Sequence, residues 1–427
     1  MNRNKQQGLL HFLEKEATEP VRDPLWKHIY LFKPFLRIFE EAPVQKLGGI
    51  KQLGPTHLVY PGATHTRLNH SLGVYHLAKR IMHQFIPYPI GAELTQEGLT
   101  AFLCAALLHD LGHYPFAHSL KELPVSDHEE LTGKIIRETS LYRLIREEAK
   151  TDPEMVAAIV DETLPDQGST EVRFYRQILS GVLDPDKLDY LNRDAYFCGV
   201  PYGIQDVDFI IGQLEPSRES GMVLKAKGLP AVENILFSKY LMYRTIYWHK
   251  TVRIATAMIK KAVYSALTEG VIKEQDLYGL DDQEFYTAFS PSKYSVFSLI
   301  HNVKARRLYK CVAEIDYSEE NPTHRRLSGL KERTKEEARI AEHISAEIGV
   351  KVGPEEVILD IPEPISLEID LSVAYDRQII PYPDSGTVFK KPVVDGFTKV
   401  LRKIRLIVSG KAAGKLDKPG RFLSWDK

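Results

Sequence analysis

Histidine is concentrated in one part of this sequence. Nine of the 15 histidines lie between residues 57 and 128: His57, His65, His70, His76, His83, His109, His113, His118 and His128. Imidazole is the commonest metal ligand in proteins and the only side chain that titrates near neutral pH without help. The cluster therefore indicates metal binding, acid–base chemistry or both.

Helical spacing predicts that His70 and Asp110 point inward. The apolar stripe that contains His70 also holds Val74, Leu77 and Ile81. The stripe that contains Asp110 holds Leu99, Phe102, Leu103 and Ala106, and His109 ends the same predicted helix. A buried carboxylate beside a buried imidazole is costly unless a cation or a hydrogen-bond partner compensates. A divalent metal would compensate several such groups at once, whereas the alternative is a pair of hydrogen-bonded core residues.

A third group of functional side chains lies in the segment LDPDKLDYLNRDAY. Asp184 as N-cap, Pro185 in the first turn and Gly199 just past the end predict a helix between them. Asp186, Tyr190 and Asp194 recur at a spacing of four, with Lys187 beside them. One helix face would thus offer carboxylate, phenol and ammonium groups. The alternative is an amphipathic helix that carries salt bridges on its solvated face.

The composition limits the classes of protein that these groups could serve. The chain has 427 residues, 43% of them hydrophobic, and 56 Lys plus Arg against 57 Asp plus Glu give a net charge of -1. Such a chain folds into a globular core and lacks the basic field of a nucleic-acid coat, so nucleic acid is not a predicted partner. An anionic substrate must meet local charge or a metal. Three separated cysteines and no long apolar run predict a cytoplasmic protein without a membrane span.

The elements that would position these residues are mostly helices. We expect a mainly α fold with an N-terminal approach segment (1–45), a helical domain (46–285) and a smaller C-terminal α+β domain (286–427). Residues 230–269 are predicted to form one long or two kinked helices. In the C-terminal domain, KVLRKIRLIVSGK alternates basic and apolar residues, and we interpret it as an edge strand rather than a nucleic-acid contact.

Taken in order, THTRLNHSLGV, LLHDLGHYPFAHSL, DHEEL and LDPDKLDYLNRDAY resemble the motif series of the HD-domain phosphohydrolases. The resemblance is to the branch of dNTP triphosphohydrolases, and it spans about residues 45 to 205 well. It implies one divalent metal per subunit, held by His70, His109, Asp110 and Asp186. This donor set suits Mn, Fe, Zn or Ni, and Mg more weakly.

The resemblance also assigns the other site residues. It implies catalytic roles for His113, His118 and His128, with Glu129 as an orienting carboxylate. It places Arg67 and Lys187 on phosphates, Tyr190 and Asp194 in the sugar site, and Gln52 and Leu53 against the deoxyribose. Arg193, Arg244 and Lys250 are further candidates for the phosphates. His57, His65, His76 and His83 match no ligand position and are expected at the surface or in caps, and the aromatics Tyr240, Tyr243, Tyr247 and Trp248 in the core or a subunit contact.

The implied activity is hydrolysis of dNTPs to the deoxynucleoside and inorganic triphosphate. The alternatives are a phosphodiesterase or nucleotidase with the same metal site, and a non-catalytic nucleotide sensor. The resemblance implies an oligomer, because the family assembles into oligomers. Together with the apolar segment Ile235 to Leu267, it leads us to expect a homotetramer or homodimer with an allosteric nucleotide at a subunit interface. Glu40 and Lys46 stand where activated relatives carry an Asp and an Arg for a guanine nucleotide, so we expect activity without obligatory GTP.

Overall fold

Helices dominate the computed structural model, which describes residues 2–15, 17–116, 120, 122–290, 293–365, 370–376 and 378–425. The helices before residue 200 are α1 (Asn2–Lys15), α2 (Phe35–Phe39), α3 (Ala42–Gln45), α4 (Arg67–Phe85), α5 (Gln96–Leu108), α6 (His128–Glu138), α7 (Ser140–Glu147), α8 (Pro153–Val160), α9 (Thr170–Leu179) and α10 (Pro185–Cys198). Those after it are α11 (Val207–Gly212), α12 (Leu229–Met242), α13 (Lys250–Thr268), α14 (Asp282–Phe289), α15 (Ser298–Lys304), α16 (Pro322–Leu327), α17 (Leu330–Ile348), α18 (Lys391–Leu401) and α19 (Gly410–Ala413). The strands are β1 (Ala17–Asp23), β2 (Lys27–Phe32), β3 (Leu214–Ser217), β4 (Gly221–Lys225), β5 (Lys310–Asp316), β6 (Val357–Asp360), β7 (Ser372–Tyr375), β8 (Gln378–Pro381) and β9 (Lys403–Val408).

The approach segment contains an antiparallel hairpin, β1 against β2, that packs on the helical core. Ile29, Leu31 and Phe32 of β2 are fully buried. The segment therefore contributes apolar side chains to the same core as the helices that follow it.

Three helices form the frame of the site, because α4 packs against both α5 and α10. Each begins at a side-chain cap: Thr66 caps α4, Thr95 caps α5 and Asp184 caps α10. Helix α10 starts with Pro185 and ends at Gly199 in the left-handed conformation, with φ of 68°. Its predicted start and end are confirmed.

The segment 230–269 forms two helices, α12 and α13, separated by a π-helical turn at residues 243–247. Of the two predicted alternatives, one long helix or two kinked helices, the second is therefore present. Helix α13 is buried on nearly every side within this one chain. The C-terminal elements β6 and α15 pack against α13, so the monomer itself covers this half of the apolar segment Ile235 to Leu267. In the α12 half, Phe237 stays exposed.

The C-terminal region carries two small sheets, and the mainly α class with a smaller α+β part is confirmed. One sheet has the order β5-β9-β6, so β9 is its central strand. The edge-strand prediction for KVLRKIRLIVSGK was wrong. The basic residues of β9 are paired within the chain, since Lys403 binds Asp316 and Arg405 binds Glu314 and Asp360, and the apolar residues of β9 are buried. In the other sheet, β7 pairs in parallel with β4 of the helical region. The domain boundaries stay a prediction.

Candidate active site

The predicted site residues meet around one cavity of about 890 Å³, a volume typical of small-molecule sites. The lining includes the residues assigned to substrate or catalysis, namely Gln52, Leu53, Arg67, His113, His128, Glu129, Lys187, Tyr190 and Asp194. It also includes the candidate ligands His109, Asp110 and Asp186. His70 lies directly behind Asp186, and His118 lies outside the described residues.

The four candidate ligands come from three elements. His70 is on α4, His109 and Asp110 directly follow α5, and Asp186 is in the first turn of α10. His70 Nε2 lies 2.7 Å from Asp186 Oδ1 and 4.0 Å from Asp110 Oδ2, and His109 Nε2 lies 3.4 Å from Asp110 Oδ1. Helix α5 ends at Leu108, so Asp110 is in the following turn and not on the helical stripe that we predicted. Its side chain is nevertheless buried.

The chemistry of this donor set fits a divalent cation. His109 Nδ1 lies 3.0 Å from the Ala106 carbonyl, a hydrogen bond that leaves the lone pair on Nε2. That Nε2 is buried and has no hydrogen-bond partner among the described residues, although it faces the Asp110 carboxylate. A lone pair directed at a carboxylate is unfavourable unless a cation lies between them. His70 Nδ1 bonds Asp189 at 2.8 Å, the outer contact that commonly orients a metal-binding imidazole.

The charges of the group depend on one another. Burial raises the pKa of the Asp110 carboxyl, but Arg67, His109 and His113 outweigh it and hold that pKa well below its usual range. Burial lowers the pKa of His70, while hydrogen bonds to Asp186 and Asp189 raise it to about 10. The Asp186 and Asp189 carboxylates therefore favour positive charge at the position of His70.

His113 and His128 stack face to face beside this group, with ring centroids 4.2 Å apart. His113 Nε2 lies 3.1 Å from Asp110 Oδ1. Burial lowers the pKa of both imidazoles, and the positive charge of Arg67 lowers both further. With Asp110 they form a second group of possible metal donors. Neutral imidazoles at the cavity wall can accept or carry a proton during a reaction.

Arg67 is the main cationic group beside the candidate ligands. Its Nη1 donates to Asp110 Oδ2 at 2.6 Å, whereas Nε and Nη2 are buried without a hydrogen-bond partner among the described residues. Buried guanidinium donors without partners are costly, and an anion in the cavity would satisfy them. Lys187 bonds Asp184 at 2.5 Å and the Gly181 carbonyl at 2.8 Å. Both cations line the cavity, Arg67 with two donors that meet no described partner and Lys187 held by its two internal contacts.

The other end of the cavity has a polar triad that sequence reasoning missed. Asp194 accepts hydrogen bonds from His65 Nε2 at 2.8 Å and from the Tyr247 hydroxyl at 2.7 Å. His65 is buried and stacks on Phe197, so the expected surface or capping role was wrong for it.

The other three histidines without a predicted ligand role lie outside this triad. His57 contacts the Gly54 carbonyl, His76 stacks on Trp26, and His83 is exposed near Glu14.

The additional phosphate candidates do not line the cavity. Arg193 is buried between Asp189 and Asp23, Arg244 contacts Tyr240 at the surface, and Lys250 is exposed. Lys239 and Arg253 line it instead. Three of the four aromatics that we expected in the core or a subunit contact, Tyr243, Tyr247 and Trp248, also line the cavity. The π-helical turn before α13 directs them there, and the spacing of a regular helix does not reveal it.

Two family models match this chain. The family model described as the HD domain matches residues 67–193, and the model described as the HD associated region matches residues 206–388. The HD domain thus contains all four candidate ligands.

Among the described residues, no helix is long and apolar enough to cross a membrane.

Several curated relatives and solved structures are similar to this chain. An uncharacterized protein of Methanocaldococcus jannaschii is 34% identical over 71% of this chain and 61% of its own length. The human deoxynucleoside triphosphate triphosphohydrolase SAMHD1 is 26% identical over 70% of this chain and 55% of its own. The chain thus spans little more than half the length of these relatives. A hypothetical protein from Aquifex aeolicus has a TM-score of 0.71 at 28% identity, covering 93% of this chain and 100% of that one. A phosphohydrolase from Bacteroides thetaiotaomicron shares the fold, with a TM-score of 0.71 at 24% identity over 92% of this chain and 99% of that one.

Proposed function

The chain belongs to the HD-domain phosphohydrolases, and on that premise we propose that it hydrolyses dNTPs to the deoxynucleoside and inorganic triphosphate. The observation that carries the proposal is Arg67, which lines the cavity with two buried donors that meet no described partner. These donors lie next to a metal-binding donor set and two neutral imidazoles. Attack at an α-phosphorus requires such a combination of cation, proton carrier and ordered phosphate chain.

His70, His109, Asp110 and Asp186 would hold one divalent ion, with Mn, Mg, Fe, Zn and Ni all compatible with the donor set. When bound, such an ion polarises a phosphoryl oxygen and lowers the pKa of a coordinated water. The packing of α4 against α5 and α10 brings the four side chains together, which supports this assignment. Arg67 holds Asp110 in place from the cavity side.

The remaining cavity residues bind the nucleotide and move the proton. Arg67 and Lys187 neutralise part of the roughly -4 charge that a triphosphate carries near neutral pH. His128 donates a proton to the leaving 5′ oxygen, with His113 and Glu129 beside it in the cavity. Asp194, fixed by His65 and Tyr247, contacts the sugar together with Tyr190, while Gln52 and Leu53 exclude a ribose 2′-hydroxyl. Tyr243 and Trp248 give the base an apolar surface.

Regulation and assembly form part of the proposal. We expect a homotetramer or homodimer, in which an allosteric nucleotide binds at a subunit interface. Lys46 is directed inward, because its Nζ donates to the Leu111 and His113 carbonyls at 3.2 and 3.3 Å and lies 4.3 Å from the centre of the Tyr278 ring. Glu40 is exposed. Because Lys46 has these internal partners, we expect activity without obligatory GTP. The three free cysteines support a cytoplasmic location.

A substrate panel tests this proposal against its alternatives. Wild-type protein and the ligand variant His109→Ala are incubated with Mn²⁺ and, in turn, a dNTP, the matching ribonucleotide, a dNMP and a phosphodiester. We expect wild type to hydrolyse the dNTP alone and the variant to hydrolyse none, with both folded by circular dichroism. Preferred hydrolysis of the phosphodiester or the dNMP would establish the alternative enzyme, and nucleotide binding without hydrolysis would establish the sensor.

A further inference from the structure

The turn of the N-terminal hairpin reaches the back of the candidate ligand His70. Trp26 lies in this turn, between β1 and β2, and its indole Nε1 donates to Asp189 Oδ1 at 2.5 Å. The other carboxylate oxygen, Asp189 Oδ2, lies 2.8 Å from His70 Nδ1. A single carboxylate thus joins the hairpin turn to the imidazole, on the side away from the cavity.

Asp189 is held in this position by a buried arginine. Arg193, one turn further along α10, donates from Nε to Oδ2 at 2.7 Å and from Nη2 to Oδ1 at 2.9 Å. Its Nη1 donates to Asp23 Oδ2 at 2.7 Å. The side chains of His70, Asp189, Arg193 and Asp23 are at most 2% exposed. Two carboxylates around one guanidinium leave a net negative charge directly behind the imidazole.

Hydrogen bonds within the hairpin turn, and a ring contact to α4, fix the positions of Asp23 and Trp26. Asp23 Oδ1 accepts hydrogen bonds from the backbone N–H groups of Leu25 and Trp26 at 2.9 and 2.8 Å, which closes the turn. The Trp26 ring stacks on His76 of α4, with centroids 5.9 Å apart. The indole is therefore fixed from one side by the turn and from the other by the helix that carries His70.

We propose that Asp189, Arg193 and the hairpin turn, through Trp26 and Asp23, are positioning residues that set the metal affinity of His70. A carboxylate on Nδ1 keeps a proton on that nitrogen, so that Nε2, on the side of Asp110 and Asp186, is the ring nitrogen left to bind the ion. The indole and the guanidinium fix the carboxylate, and hence the ring plane of the imidazole. The packing of the hairpin turn against α4 and α10 is thereby coupled to binding of the ion. This inference rests on the proposed function, because it needs the metal site to be occupied.

The variant Trp26→Phe tests the coupling, since it removes the indole donor and keeps an aromatic ring against His76. Its matched control is Trp425→Phe, which removes an indole donor to Glu336 at 2.8 Å in the C-terminal region. The metal-free proteins are titrated with Mn²⁺ against a fluorescent chelator, and their thermal unfolding is recorded. Loss of a group that contacts a metal ligand directly typically weakens metal binding about 10- to 100-fold. Because Trp26 acts one step further out, through Asp189, we expect the lower end of that range for W26F and no weakening for W425F. Saturating Mn²⁺ should restore the turnover number of W26F.

The outcomes separate this inference from the function on which it rests. If wild type binds no Mn²⁺, the proposed metal site itself fails. If wild type binds Mn²⁺ and W26F binds it within about twofold, the site stands and the positioning role is overturned. Equal weakening in W26F and W425F also overturns it, because general destabilisation then explains the loss. If W26F does not fold, Asp23→Asn supplies the same comparison, since an amide keeps the turn and weakens the contact to Arg193.

Discussion

His128 is the described residue best placed to protonate the leaving group. It lines the cavity, its ring stacks on His113, and burial lowers its pKa so that it is neutral before substrate binds. A triphosphate brings negative charge against the imidazole, which favours the protonated form. Substrate binding would therefore favour protonation of His128, and the resulting imidazolium could supply the proton that the leaving 5′ oxygen requires.

We predict that His128→Gln lowers the turnover number by about 100- to 10,000-fold, the usual range for loss of a general acid. Metal content should stay at the wild-type level, because His128 is not among the four proposed ligands. The matched control is His83→Gln, which changes an exposed histidine near Glu14. Wild-type turnover in H128Q would transfer the role to His113, to His118 or to water.

Lys46 provides a prediction about pH. Burial lowers the pKa of Lys46 to about 8 from 10.5, while the unfolded chain keeps the ordinary value. Between about pH 8 and 10.5 the unfolded state therefore binds more protons than the folded state, and the free energy of unfolding rises with pH. Lys46→Met removes this contribution. The stability of wild type relative to K46M should be greater at pH 10 than at pH 7.5, measured by urea unfolding.

The control for that experiment is Lys134→Met, which removes a lysine from the exposed face of α6. The stability difference between wild type and K134M should change less between the two pH values. If K46M and K134M give the same pH dependence, the amine of Lys46 is not desolvated as the structure shows.

The residues nearest the reaction could be predicted from sequence because their types and spacing are unusual. An HD pair at the end of an apolar helix and a carboxylate one residue after a proline both point to the site without knowledge of the fold. His65 and Asp189 gave no such signal. Their partners lie far away in sequence, 129 residues between His65 and Asp194 and 163 between Asp189 and Trp26. Only the packing of the elements brings such pairs together.

Among the elements, the contact between α4 and α10 depends on one glycine. A Cβ atom on Gly73 would overlap the Asp189 carboxylate and come within 2.6 Å of Arg193 Nη2. Both groups are buried and bound to other side chains, so they cannot easily move aside. The absence of a side chain at Gly73 is what lets Asp189 reach His70.

We predict that Gly73→Ala destabilises the protein by about 1–3 kcal/mol, the usual cost of overpacking, and weakens metal binding. The matched control is Gly396→Ala in α18, where a Cβ atom would have no neighbour within 4 Å. That control should stabilise the protein by about 0.5–1 kcal/mol, because alanine is the better helix former. Urea unfolding measures both, and a G73A variant as stable as wild type would contradict the packing argument.

Elements with local signals were predictable, and those fixed by distant pairing were not. Helix α10 was placed correctly because its cap, first-turn proline and terminal glycine are adjacent to it in sequence. The central position of β9 was missed because its neighbours β5 and β6 lie far earlier in the chain. Its alternating pattern is the same at an edge and in the middle of a sheet when paired carboxylates cover the basic residues.

For the whole molecule, the remaining exposed apolar side chains support an oligomer better than α13 does. Tyr196, Ile204 and Phe237 are 52%, 61% and 46% exposed, and they follow or belong to α10 and α12. We predict a particle of two or four times 48.6 kDa, measured by light scattering over a range of concentrations. A fully active monomer at every concentration would rule out this assembly.

The bond that the molecule breaks distinguishes release of triphosphate from the other possible hydrolyses. The most direct test is to run the reaction with one dNTP and Mn²⁺ in ¹⁸O-labelled water and to determine the ¹⁸O content of each product by mass spectrometry. Attack at the α-phosphorus predicts unlabelled deoxynucleoside and inorganic triphosphate that carries one ¹⁸O atom, in equal amounts. Label in the 5′-hydroxyl of the nucleoside, or release of labelled orthophosphate or dNMP instead of triphosphate, would contradict the account.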